Sequence, residues 1–488
     1  MSFIPPLANV LVQRGFLERK IQDALEPLLG FDKLAETDPI EARVGESKTL
    51  TRRALLPPIT SDVVPTATVY TDLNNGITPQ QLSYEQYTTT IAKRRGMMTL
   101  DLELDEAKIA SEFVSNWQAL AGQAAQSRDS RAAQYLYSAA DSGNTFALGA
   151  GTVVATGGNM TVHVDNINGF DTAYTAALAA GGSPGVPQPT SPANPLAASI
   201  ISQQAGTSFN TSITVLVVGV TPDATNTSTG AGSGTAYDRS GNVILQLPAG
   251  SGATLAMSAG DVLVASDGSA VIRPNGKLSR AQLAGTDLGT LSILTRAKAK
   301  LKLRGVPKMP NGLYACMIDS ALWADLEQDL GFRTATQGQW GQVGSFFTSG
   351  QTNRALELEF VETNYNPVFS IPGQSNVVAR HALVCGMGCI VKSPSLGFER
   401  AAKRASGADL DDEGSIGPAG ATDIRLVDGV KMVTRQPLDP EATVVTQTWS
   451  WQMGHAVATD VTSTPLVIPS TDYSRYKREV LIEMGSAA

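Results

Sequence analysis

Histidine and cysteine are the scarcest chemically versatile residues of this chain, with three of each among 488 positions. His163, His381 and His455 leave few groups that change charge near neutral pH, so general acid–base catalysis has little to draw on. Cys316, Cys385 and Cys389 cannot staple a chain of this length, which points to synthesis in a reducing cytoplasm. No apolar run approaches the roughly 18 residues that a membrane-crossing helix needs. Arg14, Glu18, Arg19 and Lys20 interrupt the apolar runs near the N-terminus, so no secretory signal peptide is expected. Positive charge is in deficit as well: 37 lysines and arginines against 45 acidic residues give a net charge of −8. That balance argues against general nucleic-acid affinity, which runs on clustered cations, but not against a protein that merely encloses nucleic acid.

Small residues fill the gap. Gly, Ala, Ser and Thr are abundant while aromatics make up 6%, which favours β-rich, turn-rich sections. Hydrophobic content of 42% is ample for globular folding, and the length suggests two to four domains. The strongest periodic signal runs from Asp105 to about Asp141. Ile109, Phe113, Trp117, Leu120, Ala124, Ala132, Leu136 and Ala139 recur close to the 3.6-residue period of one buried stripe. Uninterrupted by proline, this helix would span on the order of 55 Å, with Asp105 as its N-cap and Gly143 at its C-terminal stop. Arg128 and Asp129 fall in the stripe's path and mark either a bend or an intersubunit contact.

Residues 1–45 read as an arm, with Phe16, Leu17, Ile21, Leu25 and Leu28 forming a short amphipathic helix. Residues 46–104 read as an extended hairpin of strand formers, among them Tyr70, Tyr84 and Tyr87, turning at Asn74-Asn75-Gly76 and broken again at Gly96. Apolar residues there are too sparse for independent folding, so Tyr70, Tyr84, Tyr87 and the basic run Lys93-Arg94-Arg95 are candidate contacts to an adjacent copy. A solvated loop is the alternative for the basic run. Residues 105–149 hold the long helix.

Residues 150–290 are rich in Gly, Ser, Thr, Ala and Asn. Their short apolar runs (213–220, 243–247, 262–264) suggest an inserted β-sandwich or barrel, preceded by a linker from Gly181 to Pro195. Residues 291–435 begin with a helix carrying Arg296, Lys298, Lys300, Lys302 and Arg304. These are spread around the axis and are read as solvated. A strand at Leu313–Ile318, a helix at Ser320–Leu330 and strands near 356–361, 377–390 and 424–434 follow. Residues 436–488 add strands at 444–451 and 466–468, and the coarse class is α+β.

Candidate chemistry is thin. Gly181-x-Ser183-x-Gly185 has the outline of a nucleophile elbow, but Pro184 has no N–H to offer an oxyanion. Asn275-Gly276-Lys277 lacks the upstream glycine and the following Ser or Thr of a phosphate loop. Gly230-x-Gly232-x-Gly234 misses the dinucleotide spacing. His381, Cys385 and Cys389 would need a fourth ligand to hold zinc, and their apolar neighbours read as a buried strand and turn. Asp409, Asp411, Asp412 and Glu413 read as an acidic surface loop without calcium-hand spacing. No catalytic, cofactor or metal site is expected, and no enzyme.

The order of parts resembles the major capsid proteins of tailed bacteriophages with the Hong Kong 97-like fold, shared with herpesviruses and encapsulins. Gly45-Glu46-Ser47 through Asp101 corresponds to the extended E-loop hairpin, and Asp105–Asp141 to the spine helix. Leu73-Asn74-Asn75-Gly76-Ile77-Thr78-Pro79, Tyr314-Ala315-Cys316-Met317-Ile318 with Asp325-Leu326 to Phe332, Arg273-Pro274-Asn275-Gly276-Lys277 and Gln436-Pro437-Leu438-Asp439-Pro440 are similar to a podovirus-like branch. The resemblance covers roughly residues 1–150 and 290–475. It implies an N-terminal arm, peripheral and axial domains and self-assembly into hexamers and pentamers of an icosahedral shell around double-stranded DNA. It also implies portal, scaffolding or decoration partners, no cofactor, and residence in the virion after synthesis in the host cytoplasm. An encapsulin-like compartment shell is the alternative, and a surface adhesin or carbohydrate-binding β protein a weaker one.

Overall fold

The computed structural model describes residues 30–43, 45–53, 84–101, 112–151, 158–174, 187–204, 208–225, 227, 239–249, 255–265, 271–277, 280–332, 354–363, 365–371, 374–405, 421–435, 444–458 and 476–487. These divide into two compact bodies. The first is drawn from residues 1–50, 88–133 and 390–456, the second from 51–87, 134–389 and 457–488. Helices and sheets are mixed in the way the α+β expectation requires.

Helix α2 (Glu112–Ala140) follows the short α1 (Phe31–Leu34) and runs for 29 residues, about 43 Å at the usual rise. Trp117, Leu120, Ala124, Ala132 and Leu136 of the predicted stripe are all buried, whereas Ala139 is half-buried. Asp105 and Ile109, with the first turns expected around them, lie outside the described residues. Gly143 adopts φ 76 just beyond the helix, the left-handed conformation that suits glycine at such a stop.

In the first body the N-terminal half of α2 packs on a six-stranded sheet. Its order is β1 (Glu36–Thr37), β19 (Val391–Pro394), β22 (Val444–Ala456), β21 (Val430–Arg435) and β20 (Ala421–Val427), with β4 (Ala92–Asp101) also pairing to β22. Trp117, Leu120, Ala121, Ala124 and Ala125 meet Val430, Met432, Trp449, Trp451 and Met453 in one apolar cluster. The stretch around 424–434, expected as one strand, is a hairpin: Asp428 (φ 46) and Gly429 (φ 74) turn β20 into β21. Gly96 is not a break. It lies inside β4 opposite Trp449 because a side chain there would collide with the Trp449 indole and the Gln123 amide.

Strands β2 (Ser47–Arg53) and β3 (Tyr84–Thr90) pair in a two-stranded ribbon, the feet of the expected hairpin. In β2 only Leu50 and Arg52 are buried, so the strand has almost no core of its own. Residues 54–83, with Tyr70 and the Asn74-Asn75-Gly76 turn, lie outside the described residues.

The second body contains an antiparallel barrel. Its strands follow the order β5 (Asn144–Phe146), β12 (Val262–Ala265), β9 (Leu196–Gln204), β10 (Ser208–Pro222), β11 (Gly241–Gln246) and β6 (Asn159–Val164). The ends join: Ala147 bridges Val164, Leu148 N–H donates to His163 C=O at 2.9 Å, and Asp165 N–H to Phe146 C=O at 3.1 Å. Closure removes the exposed edges that a six-stranded sheet would otherwise present. Alternate residues such as Met160, Val162, Val164, Val215, Val217, Val243 and Leu245 fill the interior. Of the two architectures expected for 150–290, the barrel is the one formed, but it spans 144–265. Part of the expected linker is ordered as β8 (Pro187–Pro189), paired with β7 (Thr172–Tyr174).

Val271 and Ile272 belong instead to a seven-stranded mixed sheet. Its order is β13 (Val271–Ile272), β23 (Glu479–Ala487), β18 (Gln374–Cys385), β14 (Tyr314–Ile318), β16 (Leu358–Glu362) and β15 (Arg354–Ala355), with β17 (Val368–Ile371) on β18. Every residue of β14 is buried, as expected of a strand covered on both faces. Helix α3 (Leu291–Leu303) packs Ile293, Leu294, Ala297 and Leu301 into this core, and α4 (Ser320–Gln328) packs Leu322 and Leu326. The Asp319 side chain caps α4 by accepting the Leu322 N–H at 2.8 Å.

Candidate functional site

Strand register assembles a basic face that no single segment reveals. Arg95 pairs with Ser450, which pairs with Lys431; Thr99 pairs with Thr446, which pairs with Arg435. Residues directly opposite in an antiparallel ladder share a face, and Lys93 joins Arg95 by the period of two. The other face carries Trp449, Trp451, Met432 and Val430 into the core. Lys93, Arg95, Lys431 and Arg435 therefore stand together on the outward side, with Met97, 64% exposed, between them. None of the four forms an ion pair with a described residue. Burial lowers the Lys431 pKa below the usual lysine range, and the charges of Lys93 and Arg435 lower it further. The chain thus tolerates like charges held side by side.

Of the expected contact residues, Lys93 and Arg95 lie on this face, in a strand and not in a loop. Arg94 points the other way, its guanidinium 6.0 Å from the Trp451 ring centre. Lys431 and Arg435 were not singled out by the sequence reading. The alternation in Val-Lys-Met-Val-Thr-Arg carried the signal, but only the register joins it to Lys93 and Arg95. Tyr87 is half-buried on β3, where the Arg52 guanidinium lies 5.6 Å from its ring centre. Arg52 in turn donates to the carbonyls of Tyr476, at 2.9 Å, and of Gly388. Tyr84 is placed on the same strand by its backbone, and Tyr70 lies outside the described residues.

Arg128 and Asp129 correct an expectation. Both are buried in the interior of the first body, at 2% and 1% exposure, where an exposed contact was one of the two readings. Arg128 pairs with Asp32 at 2.7 Å and with Asp428 at 3.0 Å. Asp129 accepts the Asp32 backbone N–H at 2.9 Å and so holds α1 against α2. Burial raises the Asp129 pKa to about 6, against the pull of the backbone N–H groups of residues 30–32. His455 moves the opposite way, lowered to about 4 by burial.

Several buried titratable groups of the second body hold one another. Arg280 reaches Asp141 at the end of α2 (2.5 Å), Asp165 beside the barrel (3.2 Å) and Glu483 on β23 (3.0 Å), and its guanidinium lies 3.7 Å from the Phe369 ring centre. Arg273 also pairs with Glu483 at 2.5 Å. Burial alone would raise the Glu483 pKa, but these two arginines and His381 hold it well below the usual carboxylate range. His381 is engaged at both ring nitrogens, Nε2 with Glu483 at 2.7 Å and Nδ1 with the Pro367 carbonyl at 3.1 Å. Burial pushes the Cys316 thiol up to about 12 and the Cys385 thiol well above its usual range, away from the thiolate that binds metals. On the barrel, His163 and Ser240 both contact Asp223, at 2.6 and 2.8 Å. Thr227 Oγ1 reaches the same carboxylate at 3.1 Å and Ser240 Oγ at 3.0 Å, so Asp223 gathers all three side chains.

No helix among the described residues is long and apolar enough to cross a membrane. No family model matches the chain, and no curated protein does. Solved structures similar to it include the capsid of Ralstonia phage GP4, at 11% identity, with 93% of this chain and 87% of that chain covered and a TM-score of 0.44. The cyanophage Pam1 capsid matches at 10% identity, with 95% and 92% covered and a TM-score of 0.47. The capsid of cyanophage P-SCSP1u matches at 12% identity, with 94% and 88% covered and a TM-score of 0.43.

Proposed function

We propose that this chain is a structural shell subunit of the tailed-phage major capsid type with the Hong Kong 97-like fold. In this reading it assembles with copies of itself into hexamers and pentamers of an icosahedral wall around packaged DNA. Portal, scaffolding or decoration proteins are its further partners. It is made in the host cytoplasm, resides in the virion and has no enzymatic role.

One observation carries the reading: a two-stranded ribbon, in which Leu50, Arg52 and Thr89 are the buried residues among those described, is followed in chain order by β4 and a 29-residue helix. An isolated ribbon of this kind is marginal in water and gains stability by lying on something else. Identical subunits supply such a surface to one another, so folding of the ribbon and assembly become coupled. The order of parts that the sequence shares with capsid proteins supports the same assignment. The basic face of Lys93, Arg95, Lys431 and Arg435 is the second contact, proposed to meet an acidic surface of an adjacent copy.

Negative-stain microscopy of the purified protein tests this directly, with closed shells as the expected result. Deleting residues Thr66–Ile91 should leave soluble protein that forms none. Normal shells from that deletion, or a stable monomer at high concentration from the intact chain, would overturn the reading.

A further inference from the structure

We propose that Lys298 and Lys302 on one flank of α3, together with Lys308, bind the phosphate groups of a nucleic-acid backbone at a point that Glu357 now occupies. Residues 291–310 contain six basic residues and no acidic one, in a chain whose net charge is −8. From sequence these cations are spread around the helix, but burial sorts them. Ile293, Leu294, Ala297 and Leu301 take the inner face, and Arg304 is buried, donating to the carbonyls of Lys477 and Glu479 at 3.3 and 3.2 Å. Lys298 and Lys302, four residues apart, then share one outer flank.

The ammonium groups of that flank converge. Lys302 Nζ lies 2.5 Å and Lys298 Nζ 3.9 Å from Glu357 Oε2, and Lys308 Nζ lies 3.6 Å from Glu357 Oε1. One carboxylate faces three cations, which leaves a local surplus of two positive charges. Glu357 is placed there at a conformational cost. It and Leu356 form the two-residue turn between β15 and β16 with φ of 66 and 54, positions where Asn-Gly normally stands. Strain of this kind persists where surrounding structure holds it for a purpose. The carboxylate is thus a built-in anion in a lysine cage, and lysine binds phosphate as a point charge in this manner.

Nucleic acid is favoured over an acidic protein surface because three ammonium groups converge on the space of a single anion, whereas the cations of the β4 face are spread over two strands. The assignment rests on the shell reading only for the source of the nucleic acid. Binding itself is a property of the unassembled subunit, and Glu357 weakens it by competition, so contact stays sequence-independent and salt-sensitive.

Fluorescence anisotropy of a labelled duplex with the full-length unassembled protein, from about 50 to 200 mM salt, tests the proposal. Binding should weaken with salt at a logarithmic slope of about −3, the value for three phosphate contacts. Combined Lys298→Gln, Lys302→Gln and Lys308→Gln substitution should weaken binding at least about tenfold at the low-salt end and flatten the slope. Glu357→Gln should tighten it several-fold, which a merely structural glutamate would not do. Unaltered binding by the triple variant, weaker or unchanged binding by Glu357→Gln, or equal displacement by inorganic phosphate or polyglutamate at matched ionic strength would each overturn it. Shells viewed from the same preparations report separately: shells without duplex binding sink only this proposal, and duplex binding without shells sinks only the shell reading.

Discussion

Gly96 lies directly opposite Trp449 in the β4–β22 ladder, and the Trp449 indole N–H donates to the Gln123 side-chain oxygen at 2.8 Å across the space a methyl group would need. The absence of a side chain at 96 is what lets strand, indole and helix meet.

Gly96→Ala should therefore destabilise the first body by overpacking, on the order of 1–3 kcal/mol, although alanine is the better strand residue by propensity. Urea unfolding followed by tryptophan fluorescence is the measurement. An unshifted midpoint would mean that the indole has room to retreat.

Arg280 offers a different kind of sensitivity. Three carboxylates depend on it, just past the end of α2, on the barrel's margin and on β23, and all are buried. Arg280→Met should cost about 3–5 kcal/mol, because it leaves buried anions short of a partner. Arg280→Lys should recover only part of this, since one ammonium cannot span the same fork of acceptors. Equal stability of the lysine variant and the parent would show that charge alone is needed there.

These two cases mark where sequence reasoning succeeds and where it stops. The apolar stripe of α2, strand β14 and helix α4 were legible because their signals are local: apolar residues at a helical period or in one short run. Gly96 was misread as a break because its role is set by Trp449, some 350 positions away, and not by backbone preference. Arg128 was read as marking a bend or a contact for the same reason, its partner Asp32 lying 96 residues upstream. Barrel closure hangs on the bridge between Ala147 and Val164, and the basic face needed the register of three strands from distant segments. Periodicity reveals which residues turn inward; it does not reveal which inward faces meet.

Asp129 and His455 predict a concealed pH response. The Asp129 pKa, about 6 in the fold against 3.8 for the free side chain, means that the native state holds its proton longer than the unfolded chain. Its contribution is fully present at low pH and is lost as pH rises from about 4 to about 6. His455, about 4 against 6.5, works in reverse: its contribution is present above about 6.5 and is lost as pH falls toward 4. The windows overlap with opposite signs, so the parent should show a nearly flat profile from these two groups. Asp129→Asn should unmask a rise in stability between pH 4 and 6.5, and His455→Gln a fall between pH 4 and 6. Each change is on the order of 2–3 kcal/mol. Identical pH profiles for both variants and the parent would refute the assignment.

Lys431 separates stability from assembly. Burial and the nearby charges of Lys93 and Arg435 already disfavour its ammonium form, and no described residue forms an ion pair with it. Lys431→Thr should leave unfolding free energy unchanged or raise it by a few tenths of a kcal/mol, because threonine suits the strand and like-charge repulsion falls. Lys431→Thr combined with Arg435→Thr should nonetheless impair shell formation, and the defect should deepen at low salt, where the lost attraction to an acidic partner surface counts most. Light scattering during assembly, paired with thermal melts of the unassembled subunit, reads both quantities. A variant that melts early and assembles poorly would place these residues in the fold's own support, and normal assembly at all salt concentrations would remove the basic face from the interface.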